Sequence, residues 1–232
     1  MLRVNLKVCR IRANFNLRRT AGTRFNISFI MSDYELAMKQ RAERIAELRA
    51  KLLETLPADV VAGTRGLTLE IGCGHGHFLA AYAQAFPQEF CLGLDLISKR
   101  IERANRKREL AGLTNLAFFK AEATELLLAL PESCRLVKIF FLFPDPWPKK
   151  RHHKNRLIQT EMLNRLAARA HAGTRLHFRT DHAEYFDWSR ELVDAHPQWT
   201  RLPDAPWPFE RETYFQSILP DAYQSLIAEL SH

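Results

Sequence analysis

LTLEIGCGHGHFL, residues 67–79, changes backbone period within thirteen residues. Leu67 to Ile71 is a short apolar run with strand character. Gly72, Gly74 and Gly76 then break it, and His77 to Phe86 reads as a helix. A strand that passes through glycines straight into a helix is the first half of a parallel crossover unit.

The same alternation continues outward from this stretch. Strands are predicted at Phe90–Leu94 (ending on Asp95), Leu116–Phe119, Leu136–Leu142 and Arg175–Arg179. Helices are predicted at Ser98–Ala111, Thr124–Leu130, Leu157–Ala170 and Ala183–Ala195. Ile97, Ile101, Ala104 and Ala111 are expected on the buried side of the Ser98 helix. Upstream, Ile45, Leu48, Leu52 and Leu56 form one face of a helix from Asp33 to about Leu56. Ser32 and Glu35 form its capping box and Pro57 closes it. Strict alternation of strand and helix predicts an α/β fold, a doubly wound, mostly parallel, Rossmann-like sheet with helices on both faces.

Composition narrows the class. No apolar run approaches the ~20 residues of a membrane span. Cys9, Cys73, Cys91 and Cys134 form no CxxC pair and match no zinc spacing with the histidines, so reduced cytoplasmic thiols and no metal are expected. The net charge is +8, and residues 1–30 carry seven basic residues and no acid; subtracting those seven leaves +1 for the rest. Any polyanion site must therefore arise from local clustering. Residues 1–30 read as a poorly ordered basic extension: an arm for nucleic acid, a targeting segment, or sequence upstream of a true start at Met31. Residues 31–232 read as a single domain.

In a doubly wound sheet, ligands bind beyond the carboxyl ends of the strands. Gly72–Gly76, Asp95, Glu122 with Ala123, and Asp145 all follow strand ends and are expected to converge there. The GxGxG spacing is not the GxGxxG of dinucleotide binders, and no P-loop lysine follows. Asp95 suits a pair of ribose hydroxyls. Glu70, inside the strand before the loop, would repel a pyrophosphate and suits a sulfonium or ammonium. A cationic nucleoside cofactor, S-adenosylmethionine, fits this arrangement better than NAD.

A second stretch, FLFPDPWPKKRHHKNR (residues 141–156), supplies the other half of the chemistry. Pro144, Pro146 and Pro148 stiffen a segment that cannot continue a central strand. They hold Asp145 where it can accept hydrogen bonds from a base, and Trp147 where its indole can stack on one. Lys149, Lys150, Arg151, His152, His153, Lys154 and Arg156 follow with no acid among them, which suits phosphate contact.

At these residues the chain resembles the bacterial tRNA (guanine-N7)-methyltransferases, class I S-adenosylmethionine-dependent enzymes. The resemblance runs from about Asp33 to Gln216. It rests on EIGCGHG (Glu70–Gly76), FPDPWPKKRHHKNR (Phe143–Arg156) and Thr180-Asp181. It implies a class I methyltransferase fold, cytoplasmic tRNA modification and a variable-loop guanosine as target. By the same resemblance Glu70, Asp95, Glu122 and Asp145 surround the cofactor, with Asp145 also at the reaction centre. Lys149 and Asp181 touch the substrate. Thr213-Tyr214-Phe215-Gln216 matches a late substrate-binding tetrad. The chain departs from the family in carrying Asp at 95, Glu at 122, a neutral Gln216 and a divergent stretch from Ser217 to His232.

Guanine N7 has a free lone pair at neutral pH, so its methylation needs no general base. Two rivals remain open. One is methylation of an exocyclic base amine, whose enzymes show D/N-P-P-Y/F where this chain has D-P-W-P. The other is a non-catalytic RNA-binding paralogue. A metabolic NAD enzyme ranks below both. Monomer and homodimer are both compatible with the sequence.

Overall fold

A computed structural model describes residues 32–210 and 223–231. The expectations for residues 1–30, and for Thr213 and Gln216, lie outside the described residues.

Helix α1 (Asp33–Thr55) starts from the predicted capping box: Ser32 Oγ accepts from Glu35 N–H, and the Glu35 carboxylate accepts from Ser32 N–H. Leu48, Leu52 and Leu56 are buried. A one-turn helix, α2 (Ala58–Val61), precedes strand β1 (Leu67–Ile71). Then follow α3 (His77–Ala85), β2 (Phe90–Asp95), α4 (Ser98–Leu110), β3 (Leu116–Lys120), α5 (Ala123–Ala129) and β4 (Leu136–Leu142). A 3-10 turn over Lys150–Asn155 leads to α6 (Thr160–Ala167), β5 (Ala170–Thr180), α7 (Ala183–Asp194), β6 (Trp199–Arg201) and β7 (Gln224–Leu230).

The seven strands form one sheet in the order β3-β2-β1-β4-β5-β7-β6. The first five are mutually parallel, while β7 runs antiparallel to β5 and β6. This is the expected doubly wound, mostly parallel sheet. Strand order reverses between β1 and β4, so the crevice at their carboxyl ends is the place for a ligand. β1 and β2 are buried along their whole length, as strands with both faces covered must be. One apolar cluster joins α1, α5, α6 and α7 to one face, and a second, aromatic cluster packs Phe78, Tyr82 and Phe140 on the other.

Three expectations are corrected, and one stretch left unassigned by the sequence is now placed. α6 begins at Thr160 rather than Leu157, because Ile158 N–H bonds to Tyr185 Oη and the Ile158 carbonyl accepts from Trp188 Nε1. Those backbone groups are taken by side chains of α7 and cannot start a helix. β5 begins at Ala170, five residues early, across an irregularity opposite Leu136–Lys138. Ile97 is 46% exposed and Ala111 is exposed, so only Ile101 and Ala104 form the buried side of α4. The divergent stretch after Ser217 contains a full strand, β7, that pairs with β5 from Arg175↔Glu229 to Thr180↔Gln224.

Candidate functional site: a row of strand-end carboxylates

Five adjacent parallel strands each carry an acidic residue at or just past the carboxyl end. Across the sheet they are Glu122 (β3), Asp95 (β2), Glu70 (β1), Asp145 (β4) and Asp181 (β5). Their environments differ, and the differences separate their roles.

Glu70 is 3% exposed, and its Oε2 has no hydrogen-bond partner. Burial, then the negative charge of Asp95, push its pKa up to about 8, against an opposing bond from the Leu79 backbone. An orphaned, buried carboxyl oxygen beside another carboxylate is a place prepared for a cation. Gly72, Gly74 and Gly76 all have positive φ (83°, 55° and 67°), which explains three glycines in five residues. A Cβ on Gly72 or Gly74 would meet nothing within 4 Å, so the loop backbone borders open space.

Asp95 clamps that loop. Its Oδ2 accepts from Gly74 N–H at 3.1 Å and its Oδ1 from Ile97 N–H at 2.8 Å, while Arg100 approaches Oδ2 at 3.3 Å. Glu122 caps α5, with one oxygen accepting from Glu125 N–H at 3.0 Å, and Ala123 beside it is buried. Both carboxylates retain acceptor capacity. The donor set therefore fits S-adenosylmethionine. Glu70 would face positive charge, the glycine loop would give close backbone approach, and Asp95 and Glu122 would offer acceptors for hydroxyl and amino groups.

Asp145 is exposed between two non-glycine residues of positive φ, Phe143 (49°) and Trp147 (46°). Such backbone costs about 1–2 kcal/mol per residue and persists only where the surroundings over-determine it. Phe143 N–H donates to the Arg179 carbonyl at 2.8 Å, and the Pro146 carbonyl accepts from Arg156 Nε at 2.8 Å. Trp147 is 36% exposed, with its ring edge-on to His152. Asp181 is exposed at the end of β5.

The basic run is not uniform. Lys149, Lys150, Arg151 and Lys154 are exposed on and around the 3-10 turn. His153 is half-buried against Trp188. Arg156 is not available to a phosphate, as its side chain is fully buried and tied to Glu184 at 2.6 Å. The sequence reading also missed Arg179, 4% exposed at the end of β5. It makes a bidentate pair with Glu210 (3.0 Å to each oxygen), bonds Ser225 and lies over the Trp207 and Tyr223 rings. Nothing local in the sequence announces an inward-facing arginine, because its partners lie 31 and 46 residues away. Among the described residues no group of three or more His, Cys, Asp or Glu is gathered as a metal ion requires, and no helix is long and apolar enough to cross a membrane.

Comparison with known proteins agrees with the geometry. A family described as "Putative methyltransferase" matches residues 64–218. A protein of Caulobacter vibrioides named tRNA (guanine-N(7)-)-methyltransferase is 36% identical over 149 residues, covering 64% of this chain and 66% of its own length. Proteins of the same name from Microcystis aeruginosa (34% over 174 residues, 70% of this chain and 82% of the relative) and Halorhodospira halophila (42% over 129 residues, 55% of each) also match. The chain thus spans from about half to four fifths of the length of these relatives. Among solved structures, an rRNA methylase from Streptococcus thermophilus superposes with a TM-score of 0.51 at 13% identity, covering 88% of this chain and 100% of that one. The aminoglycoside resistance methyltransferase NpmB1 gives 0.52 at 19%, covering 78% and 93%. At such identities the likeness is one of fold.

Proposed function

We propose a reaction from one premise: the chain belongs to the methyltransferase family whose model matches residues 64–218. The reaction is transfer of a methyl group from S-adenosylmethionine to guanine N7 in tRNA, with a variable-loop guanosine as the position that the resemblance implies. The observation that carries this reading is the pairing of a buried, partnerless carboxyl oxygen on Glu70 with an exposed carboxylate, Asp145, held on strained backbone one strand away.

S-adenosylmethionine, when bound, supplies an electrophilic methyl group on a sulfonium. The chain supplies position and charge. Glu70 would balance the positive charge of the cofactor, and Asp95 and Glu122 would accept from its hydroxyl and amino groups. Asp145 orients the base and favours the positive charge that grows on the purine as N7 is alkylated. No side chain needs to remove a proton, so proximity and orientation supply most of the rate. Trp147 offers its indole face to a base. The exposed Lys149, Lys150, Arg151 and Lys154 would neutralise phosphates, and Asp181, exposed just past the end of the neighbouring strand β5, would meet the substrate. The names carried by the relatives support this substrate class.

The test is methyl transfer from labelled S-adenosylmethionine to unmodified bulk tRNA, followed by nucleoside analysis. A 7-methylguanosine peak is expected. A different methylated nucleoside, or cofactor binding with no transfer to tRNA, overturns the proposal.

A further inference from the structure

Arg156 closes a basic run, yet it is the one arginine of that run whose side chain is wholly out of solvent. Each of its three guanidinium nitrogens donates inward. Nε donates to the Pro146 carbonyl at 2.8 Å, and the two terminal nitrogens grip the Glu184 carboxylate at 3.3 and 2.6 Å. The guanidinium carbon lies 4.9 Å from the Tyr185 ring centroid and 5.3 Å from that of Trp188. One planar group thus ties three parts of the chain: the turn after β4, the first turn of α7, and its own segment after the 3-10 turn.

The turn it holds is the strained one. Pro146 sits between Asp145 and Trp147, and positive φ values stand at Phe143 and Trp147. Three prolines leave that turn with few donors of its own. Its backbone geometry must therefore be fixed from outside, through the Phe143 N–H at one end and the Pro146 carbonyl in the middle. Glu184 follows Asp181 by three residues, so the same guanidinium also sets the distance between the two loops that carry Asp145 and Asp181.

Resting on the reaction proposed above, we propose that Arg156 is a positioning residue. It holds the Pro144–Pro148 turn in its strained form, so that Asp145 stays aimed at the reacting base, and it makes no contact with tRNA. A lysine at this position offers a point charge in place of a planar fork and cannot hold Pro146 and Glu184 together.

The experiment compares wild type with Arg156→Lys and Glu184→Gln. Glu184 is half-exposed, and its substitution loosens Arg156 without emptying the core, so a usable variant remains even where Arg156→Lys folds poorly. Single-turnover rate, KM for tRNA, the slope of log K against log salt, and amide exchange at Asp145, Trp147 and Lys149 are read together. In Arg156→Lys a rate loss on the order of 10–100-fold is expected, since small misplacement of a reacting group has that effect. KM within about twofold, an unchanged salt slope and faster exchange in the turn should accompany it, with Glu184→Gln moving the same way by less. A wild-type rate in both variants overturns the proposal. So does a salt slope shallower by about one unit in Arg156→Lys, which would place the residue on a phosphate. Should wild type itself transfer no methyl group, the reaction fails but the tie is still judged: unchanged exchange at those three amides in both variants overturns it.

Discussion

Burial and the neighbouring charge of Asp95 raise the pKa of Glu70 to about 8, which favours its protonated form in the free protein at neutral pH. Relative to an unfolded chain with a pKa near 4.5, this raised value contributes stability that is complete below about pH 4.5 and lost as pH rises toward 8. Cofactor binding should run the other way. A cation beside Glu70 favours the carboxylate, so binding below pH 8 releases a proton. Calorimetry at pH 6.5, 7.25, 8 and 9 is expected to show affinity rising with pH and levelling above 8. Glu70→Gln should bind more weakly with no such rise. Burial and Arg103 lower the pKa of His75 at the mouth of the loop, and a His75→Asn control separates its titration from that of Glu70. A pH-independent wild-type affinity would remove Glu70 from contact with positive charge. At the second carboxylate, Asp145→Asn keeps the shape and removes the charge. Turnover should fall by about 10²–10³-fold while cofactor affinity changes by less than about threefold. Wild-type turnover in this variant would exclude the role.

At the scale of the element, the glycine loop separates two functions that one motif would hide. Gly76 faces inward: a Cβ there would lie 2.5 Å from Cζ of Phe118 and 2.9 Å from the Ala104 methyl, at a φ of 67°. Gly76→Ala should therefore cost stability, about 2–4 kcal/mol by urea unfolding, from strain and overpacking together. Gly74 faces open space, so Gly74→Ala should cost only the left-handed penalty of about 1–2 kcal/mol. It should weaken cofactor binding by at least about tenfold. The reverse order of the two stabilities would show that the loop packs differently. The 3-10 turn behaves as a unit too. Replacing Lys149, Lys150 and Arg151 together by Ala should weaken tRNA binding and flatten its salt dependence by about two units of slope. An unchanged slope would move tRNA to another face.

For the whole molecule, legibility followed the range of the interactions. Every strand of the parallel sheet was readable, because Leu67–Ile71 or Leu136–Leu142 declares itself through a local apolar run ended by glycine or proline. Glu70, Asp95, Glu122 and Asp145 were readable as strand-end carboxylates for the same reason. What depended on distant partners was not. Arg156 looked like its exposed neighbours, since most of what turns it inward is distant in sequence: Glu184, 28 residues on, and the Tyr185 and Trp188 rings beside it. Arg179 depends on Glu210, Trp207, Tyr223 and Ser225. β7 contains Leu226, Ala228, Glu229 and Leu230, which favour helices in isolation, and becomes a strand because β5 offers it an edge.

The placement of that last strand sets an order of events during synthesis. β7 is translated after β6, yet it lies between β5 and β6. Until residue 230 has left the ribosome, β6 has nothing to pair with, and β5 presents an open ladder of buried-type residues such as Leu176 and Phe178 to any passing strand. Interrupted translation just upstream of Gln224 would thus release a chain with its parallel sheet built and one adhesive side uncovered. Ribosome-released fragments ending near residue 220 should accordingly sediment as aggregates under conditions where the full chain stays dispersed. A nascent chain of this protein is most in need of a chaperone in the interval between the synthesis of β5 and that of β7.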